Sequence, residues 1–340
     1  MKPVNLFFEE PDPDRWLPFD RYPRRIIRRI ARGKPNPGGH ARVFLNLCAG
    51  LDKLGVPYRV NDYRYIQKHS EEIACIIGKP HVLDKIAWKN PIIFGAAIFS
   101  HPSDDPTLLN RLPVAQVLVP GEWARVMWEK HYGDRVMSWA VGIDTEEWQP
   151  APIRKDIDIL LYDKVRWQRE YYKLHLTDPI QLHLEQQGLK VTVLKYGSYR
   201  EPEFKELLSR SKAMIFLCEH ETQGIAYQQA LACGVPILAW DRGGFWQDPV
   251  YFPNRVQFAP VSSVPYWDDR CGSKFEIIEQ FPEQFNVFFQ NVKQQQFDPR
   301  SYILENLTLE QCAQRYLRIV QQVEQSCTNT KTLGQPEHLV

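Results

Sequence analysis

The stretch AMIFLCEHETQGIAYQQALACGVPILAWD, residues 213–241, decides the architecture. Ala213 to Leu217 form a short apolar run that reads as a buried strand. Glu219, Glu221 and Gly224 stand at its mouth. AYQQALACG (226–234) then reads as a helix that Gly234 and Pro236 bring to a stop, and VPILAWD (235–241) is a second strand. A strand, a polar turn, a helix and another strand in so short a span make a parallel βαβ unit. In open parallel sheets, ligands bind beyond the carboxyl ends of the strands. The two glutamates and the glycine therefore sit where a ligand is held. A helix start offers unpaired N–H groups and the positive end of a dipole, which suits phosphate. Gly224 lets that backbone come close. A carboxylate in the same place does not want phosphate; it accepts hydrogen bonds from sugar hydroxyls. Phosphate on amides and hydroxyls on carboxylates is the chemistry of a nucleotide sugar.

The same alternation runs outward in both directions. VNLFF (4–8), YRVNDY (58–63), ACIIG (74–78), PIIFGAAIF (91–99), VAQVLVP (114–120) and RVMSWAVGI (135–143) read as strands. NPGGHARVFLNLCAGLDKLG (36–55) opens a helix, with Asn36 as cap, Pro37 in the first turn and Val43, Leu47, Leu51 and Leu54 as its apolar stripe. GEWARVMWEKHYG (121–133) is another. After a proline-bearing linker near 148–152, IDILLYDK (157–164), VTVLKYG (191–197), AMIFLCE and VPILAWD alternate with helices at 172–188, 202–212 and 226–234. The expected fold class is α/β: two Rossmann-like, doubly wound parallel-sheet lobes. Residues 1–150 make the first lobe, which carries an Arg-rich insertion. Residues 151–310 make the second, and 311–340 a terminal helix, with LTLEQCAQRYLRIVQQVEQ (307–325) as its amphipathic part, and a polar tail.

Composition sets the limits. At 340 residues the chain is too long for one ordinary domain, and its 44% hydrophobic content supplies ample core. A net charge of +1 nominates neither nucleic acid nor any acidic partner. Seven scattered cysteines with no Cys-x-x-Cys pair argue against a disulfide framework or a structural zinc, and fit a reducing compartment. The opening MKPVNLFFEEPDPDRW lacks the apolar length of a secretory signal, and PIIFGAAIF falls far short of the roughly 20 residues of a spanning helix. The expected location is cytoplasmic. Arg24, Arg25, Arg28, Arg29 and Arg32 recur at helical spacing in 21–34. A solvated helix face explains them, as does peripheral contact with anionic lipid at an inner membrane face. Asp12-Pro13-Asp14 is formally a D-x-D, and Asp268-Asp269 another acidic pair, but neither has partners that make a metal site, so no metal is expected. No G-x-G-x-x-G follows a strand, so a dinucleotide oxidoreductase loses its main support, and no G-x-S-x-G is present, which removes the usual hydrolase signature.

ETQGIAYQQALACGVPILA resembles the E-x7-E segment of retaining family-4 glycosyltransferases (glycosyltransferase group 1) with the two-lobed GT-B fold. VGIDTEEWQP (141–150) resembles the stretch by which that family crosses between its lobes, and PGGHARVFLNLCAGLDKLG its glycine-rich first loop and helix. The resemblance spreads over most of the chain in the expected order; the insertion before the Gly-Gly turn is not typical. It implies two lobes facing across a cleft, the first presenting an acceptor and the second holding the donor, with the terminal helix packing back across both.

Carried over by position, Glu221 is the first glutamate of the pair and contacts donor-sugar hydroxyls. The second position is Gln229, a departure, since a glutamate there holds ribose hydroxyls; glutamine still accepts one hydrogen bond and donates another. Gly224 and the amide of Ile225 match the phosphate-facing turn. Lys164 and Arg169 have the spacing of the family's two diphosphate cations in reversed order, and Arg166 competes for the role. Such cations neutralise charge that grows on the leaving diphosphate. Gly38 and Gly39 fit a close approach to the donor from the first lobe, or an ordinary helix entry. His101 fits a donor-sugar contact or a structural histidine.

The resemblance thus implies a hexosyltransferase-type enzyme, metal-independent and without cofactor. It moves a sugar from a nucleotide-diphosphate sugar to a hydroxyl acceptor, a glycan or lipid-linked glycan of polysaccharide biosynthesis, with retention of configuration. A nucleotide-sugar epimerase and a non-catalytic nucleotide-sugar-binding protein remain as alternatives on the same fold.

Overall fold

A computed structural model describes residues 2–10, 38–96 and 98–333. The arginine-rich stretch 21–34, the Asn36 cap and Asp12–Asp14 lie outside the described residues. Two compact units make up the chain. The first takes the chain up to Val119, Trp128–Trp139 and the terminal helix from Cys312; the second takes Pro120–Met127 and Ala140–Gln311.

The first unit is built on six parallel strands: β1 (Val4–Phe7), β2 (Tyr58–Val60), β3 (Ala74–Ile76), β4 (Ile92–Phe94), β5 (Val114–Val119) and β6 (Val136–Ser138). Their order is β2-β1-β3-β4-β5-β6, so the winding reverses between β1 and β3. Leu6, Ile76, Ile93, Phe94 and Leu118 are fully buried, as near-continuous apolar runs in a covered parallel sheet must be. Helix Gly39–Lys53 turns Val43, Phe44, Leu47 and Leu51 inward, and Gly38 is its N-cap. The terminal helix Leu309–Leu333 buries Cys312, Ala313, Tyr316, Leu317 and Val320. Trp139 holds it by an Nε1–H bond to the Cys312 carbonyl (2.9 Å) and by an edge-on contact with Tyr316.

The second unit has five parallel strands, β7 (Ile157–Asp163), β8 (Val191–Lys195), β9 (Ser211–Leu217), β10 (Ile237–Trp240) and β11 (Gly272–Phe275), in the order β11-β10-β9-β7-β8. Here the reversal falls between β7 and β9, which end level, with Asp163 beside Leu217. Ile159, Leu161, Ile215, Leu217 and Leu238 pack against Phe281, Phe285 and Phe288 of helix Phe281–Lys293.

Most expected elements are present, trimmed at their ends. The helix expected over 172–188 starts at Arg169 and passes through a π turn, Lys173–Thr177, before Asp178–Gln186. Pro179 is the cause: it has no N–H for the carbonyl four residues back, and the widened turn absorbs the lost bond. Helix Phe281–Lys293 and β11 were not anticipated. The helix has a readable apolar stripe, whereas GSKF of β11 has none and is a strand only through its register with β10. No helix among the described residues is long and apolar enough to cross a membrane.

Candidate active site

The reversal between β7 and β9 marks where an open sheet leaves a crevice beyond its strand ends, because the flanking connections leave on opposite faces. Lys164 and Arg166 leave β7 at that point, and Glu219 to Gly224 leave β9. The two loops are tied by charge. Lys164 Nζ is ion-paired with Glu221 Oε1, and both side chains are only 12% exposed. Burial works against the ammonium, but the Glu221 carboxylate, with Cys218 and Tyr196, more than offsets it, so the Lys164 pKa is raised. The Tyr196 ring lies 4.4 Å from Nζ.

Glu219 makes the second tie. It is buried, and its Oε1 accepts the backbone N–H groups of Arg166 (2.7 Å) and Trp167 (2.8 Å). This carboxylate shapes the loop after β7 from the loop after β9. His220 is equally enclosed: Trp167 stacks on it, Trp123 meets it edge-on and Trp246 Nε1–H donates to its Nε2 (3.0 Å). An Nε2 that accepts puts the ring proton on Nδ1. Burial holds the His220 pKa well below its ordinary value, and the charges of Arg166, Arg242 and Lys164 act the same way.

Gly224 has no substitute. Its φ of 75° is left-handed, and a Cβ there would stand 2.0 Å from Cε1 of Tyr227. Tyr227 cannot withdraw, since its hydroxyl accepts from the Tyr266 N–H (3.0 Å) and donates to the Tyr266 carbonyl. Helix Ile225–Ala232 begins at once, so the Ile225 amide lies in a first turn whose N–H groups have no intrahelical acceptor. The Glu221 main chain is clamped on both sides: its N–H donates to the Ser262 carbonyl (2.9 Å) and its carbonyl accepts from Trp123 Nε1 (2.8 Å). Gln229 lies one turn into the helix and is buried. Its neighbour Gln228 belongs to a structural network with Gln223 and the Val141 backbone.

The structure thus brings together Glu221, Lys164, Arg166, Gly224 and Ile225, with Gln229 on the same helix. Arg169 does other work: Nη2 donates to Asp163 (2.6 Å) and Nη1 to the Val165 carbonyl (2.7 Å), bracing the loop. Gly38, Gly39 and His101 belong to the first unit. His101 is 2% exposed and caps the turn Pro102–Asp104, its Nδ1 accepting from the Ser103 N–H (3.1 Å). Burial and the cap favour the structural of the two readings of His101. Gly38 has φ −65°, and a Cβ at either glycine meets nothing within 4 Å among the described residues. Asp268 caps and ion-pairs Arg270, a local structural role. Glu219, placed with Glu221 at the ligand-holding strand end, spends its Oε1 on the amides of the facing loop; the sequence reading gives no role to His220, Asp163 or Trp123.

Residues 173–247 match the family model of the glycosyl transferases group 1. The matched segment runs from the π turn through β8, β9, the Glu221 loop and β10 to Trp246, and the resemblance to glycosyltransferase group 1 stands at that level. Solved glycosyltransferase structures share the GT-B fold. AviGT4, a glycosyltransferase involved in avilamycin A biosynthesis, is 12% identical with TM-score 0.56, over 95% of this chain and 99% of that one. Sucrose-phosphate synthase from Thermosynechococcus elongatus is 10% identical (TM-score 0.51; 87% and 82% covered). A mutant of S. aureus TarM, solved in complex with fondaparinux, α-GlcNAc-glycerol and UDP, is 13% identical (TM-score 0.51; 76% and 57% covered). The chain spans 56–60% of the length of the first structures it matches. No curated protein matches it in sequence.

Proposed function

We propose that the protein transfers a sugar from a nucleoside-diphosphate sugar to a hydroxyl acceptor. One observation carries the reading: the carboxylate of Glu221, whose main chain is clamped, and a largely buried cation, Lys164, meet at the reversal between β7 and β9, beside a helix start that only glycine can open. The diphosphate lies on Lys164, Arg166 and the Ile225 amide, where positive charge stabilises the departing nucleotide. Glu221 accepts hydroxyls of the sugar, and Gln229 bonds the ribose as donor and acceptor at once.

Lys164 and Arg166 supply the neutralising charge, so transfer proceeds in EDTA. Retention of configuration follows from the resemblance and rests on the leaving phosphate assisting the acceptor on the same face. TarM was solved with UDP and a GlcNAc-glycerol; by analogy the acceptor here is a glycan or lipid-linked glycan, and the arginines of 21–34 suit the anionic surface that carries one.

Calorimetric titration with UDP, GDP, ADP and their sugar conjugates tests the donor site, with Glu221→Ala as control. Binding of one nucleotide, with an added sugar contribution lost in the control, is the expected result. Binding of none sinks the reading. UDP release from a bound conjugate with water taking the sugar, and no glycosylated acceptor, would point to an epimerase; binding without any turnover would point to a binding protein.

A further inference from the structure

The Lys164–Glu221 ion pair sets two parts of one ligand against each other. On the donor-site reading, which this inference deepens, the diphosphate needs the Lys164 ammonium, yet that ammonium is held by the carboxylate assigned to the sugar. Neither main chain is free to separate them. The Lys164 N–H donates to the Leu217 carbonyl (2.8 Å), Glu221 is clamped by Ser262 and Trp123, and Tyr196 covers the ammonium. The pair opens only by side-chain rotation.

We propose that Glu221 discriminates the sugar-loaded nucleotide from the bare nucleoside diphosphate by competing with the latter for Lys164. A bare diphosphate that takes the ammonium strands a largely buried carboxylate beside new negative charge, and an unpaired buried charge is strongly unfavourable. A nucleotide sugar takes the same ammonium but brings hydroxyls that donate to the freed carboxylate. One side chain thus weakens the spent product and not the substrate, which favours product departure after transfer.

The test is calorimetric titration of the full chain with UDP, GDP and ADP, and with UDP-glucose, GDP-mannose and ADP-glucose. Wild type is compared with Glu221→Gln, Glu221→Asp and Lys164→Met, each checked by its melting curve. Glu221→Gln removes the competing charge, and the accepted bare nucleotide binds about tenfold tighter, equivalent to about 1.4 kcal/mol. Its sugar conjugate gains nothing or weakens. Glu221→Asp draws the carboxylate back without discharging it and shows the same change in smaller measure, which serves if the glutamine variant folds poorly. Lys164→Met loses affinity for both ligands. Bare nucleotide binding to both Glu221 variants no more tightly than to wild type overturns the competition and leaves the donor site standing. Failure of every nucleotide to bind wild type and variants alike removes the donor site and this inference together.

Discussion

Gly224 and the Gly38–Gly39 pair each stand at the entrance to a helix, and their surroundings differ completely. Gly224 is left-handed and pressed against a tyrosine that is itself hydrogen-bonded in place. Gly38 has an ordinary φ, and among the described residues a Cβ at it or at Gly39 meets open space. Glycine at 224 is demanded by the fold. At 38 and 39 the described residues make no such demand, and a ligand is one source of a need for glycine there. Identical letters in a sequence can record packing in one place and only the possibility of binding in another.

The comparison breaks most readily at Gly224. Gly224→Ala combines a left-handed penalty of about 1–2 kcal/mol with overpacking of about 1–3 kcal/mol. Chemical denaturation should show a loss of about 2–5 kcal/mol. A loss below about 0.5 kcal/mol, the range of an ordinary surface substitution, would mean that Tyr227 yields and the turn is not fixed as described.

Lys164→Met tests the facing loop. Removing a cation that stabilises developing charge lowers kcat by about 10²–10³-fold, and a normal rate would move the diphosphate cation elsewhere.

His220 makes the second loop acid-sensitive. Its folded pKa is depressed, so below the ordinary histidine range of about 6.5 the unfolded chain binds the proton that the folded chain refuses. Stability therefore falls as pH drops from about 6.5 toward the folded value, by at most about 1.4 kcal/mol per pH unit for this group. His40 and His81 shift in the same direction and contribute too. Melting curves at about pH 7.5 and about pH 5, on either side of the ordinary histidine value, should converge in His220→Gln relative to wild type. An unchanged gap would place the acid sensitivity outside this site.

His101→Ala removes a cap and should lose about 0.5–2 kcal/mol of stability with the donor KM unaltered. A raised KM would return His101 to the site. The smallest effect belongs to Gly38→Ala, expected within about 0.5 kcal/mol of wild type in stability. If donor binding nevertheless weakens, the glycine is there for the ligand, and the contrast with Gly224 sharpens.

The strand–turn–helix punctuation around Glu221 and Gly224 was legible because strand period, helix stops and the glycine turn are local signals. So was the alternation that yields two parallel sheets. What the spacing of Arg169 from Lys164 does not reveal is its partner: Asp163, the last residue of β7, takes its guanidinium. His101 looked available after an apolar run, yet its own turn uses it as a cap.

The chain's letters alone determined the fold class and the strand end at which the carboxylates stand, since both follow from periodicities a few residues long. The tertiary structure decided which loop meets which. Glu219 grips an amide 53 residues away, and Lys164 finds Glu221, only because β7 and β9 become neighbours at the reversal of the sheet. β11 is a strand only beside β10, and the burial that lowers the His220 pKa comes from three tryptophans on separate segments. Such pairings are chosen by burial across the whole sheet, and no local pattern in the sequence carries them.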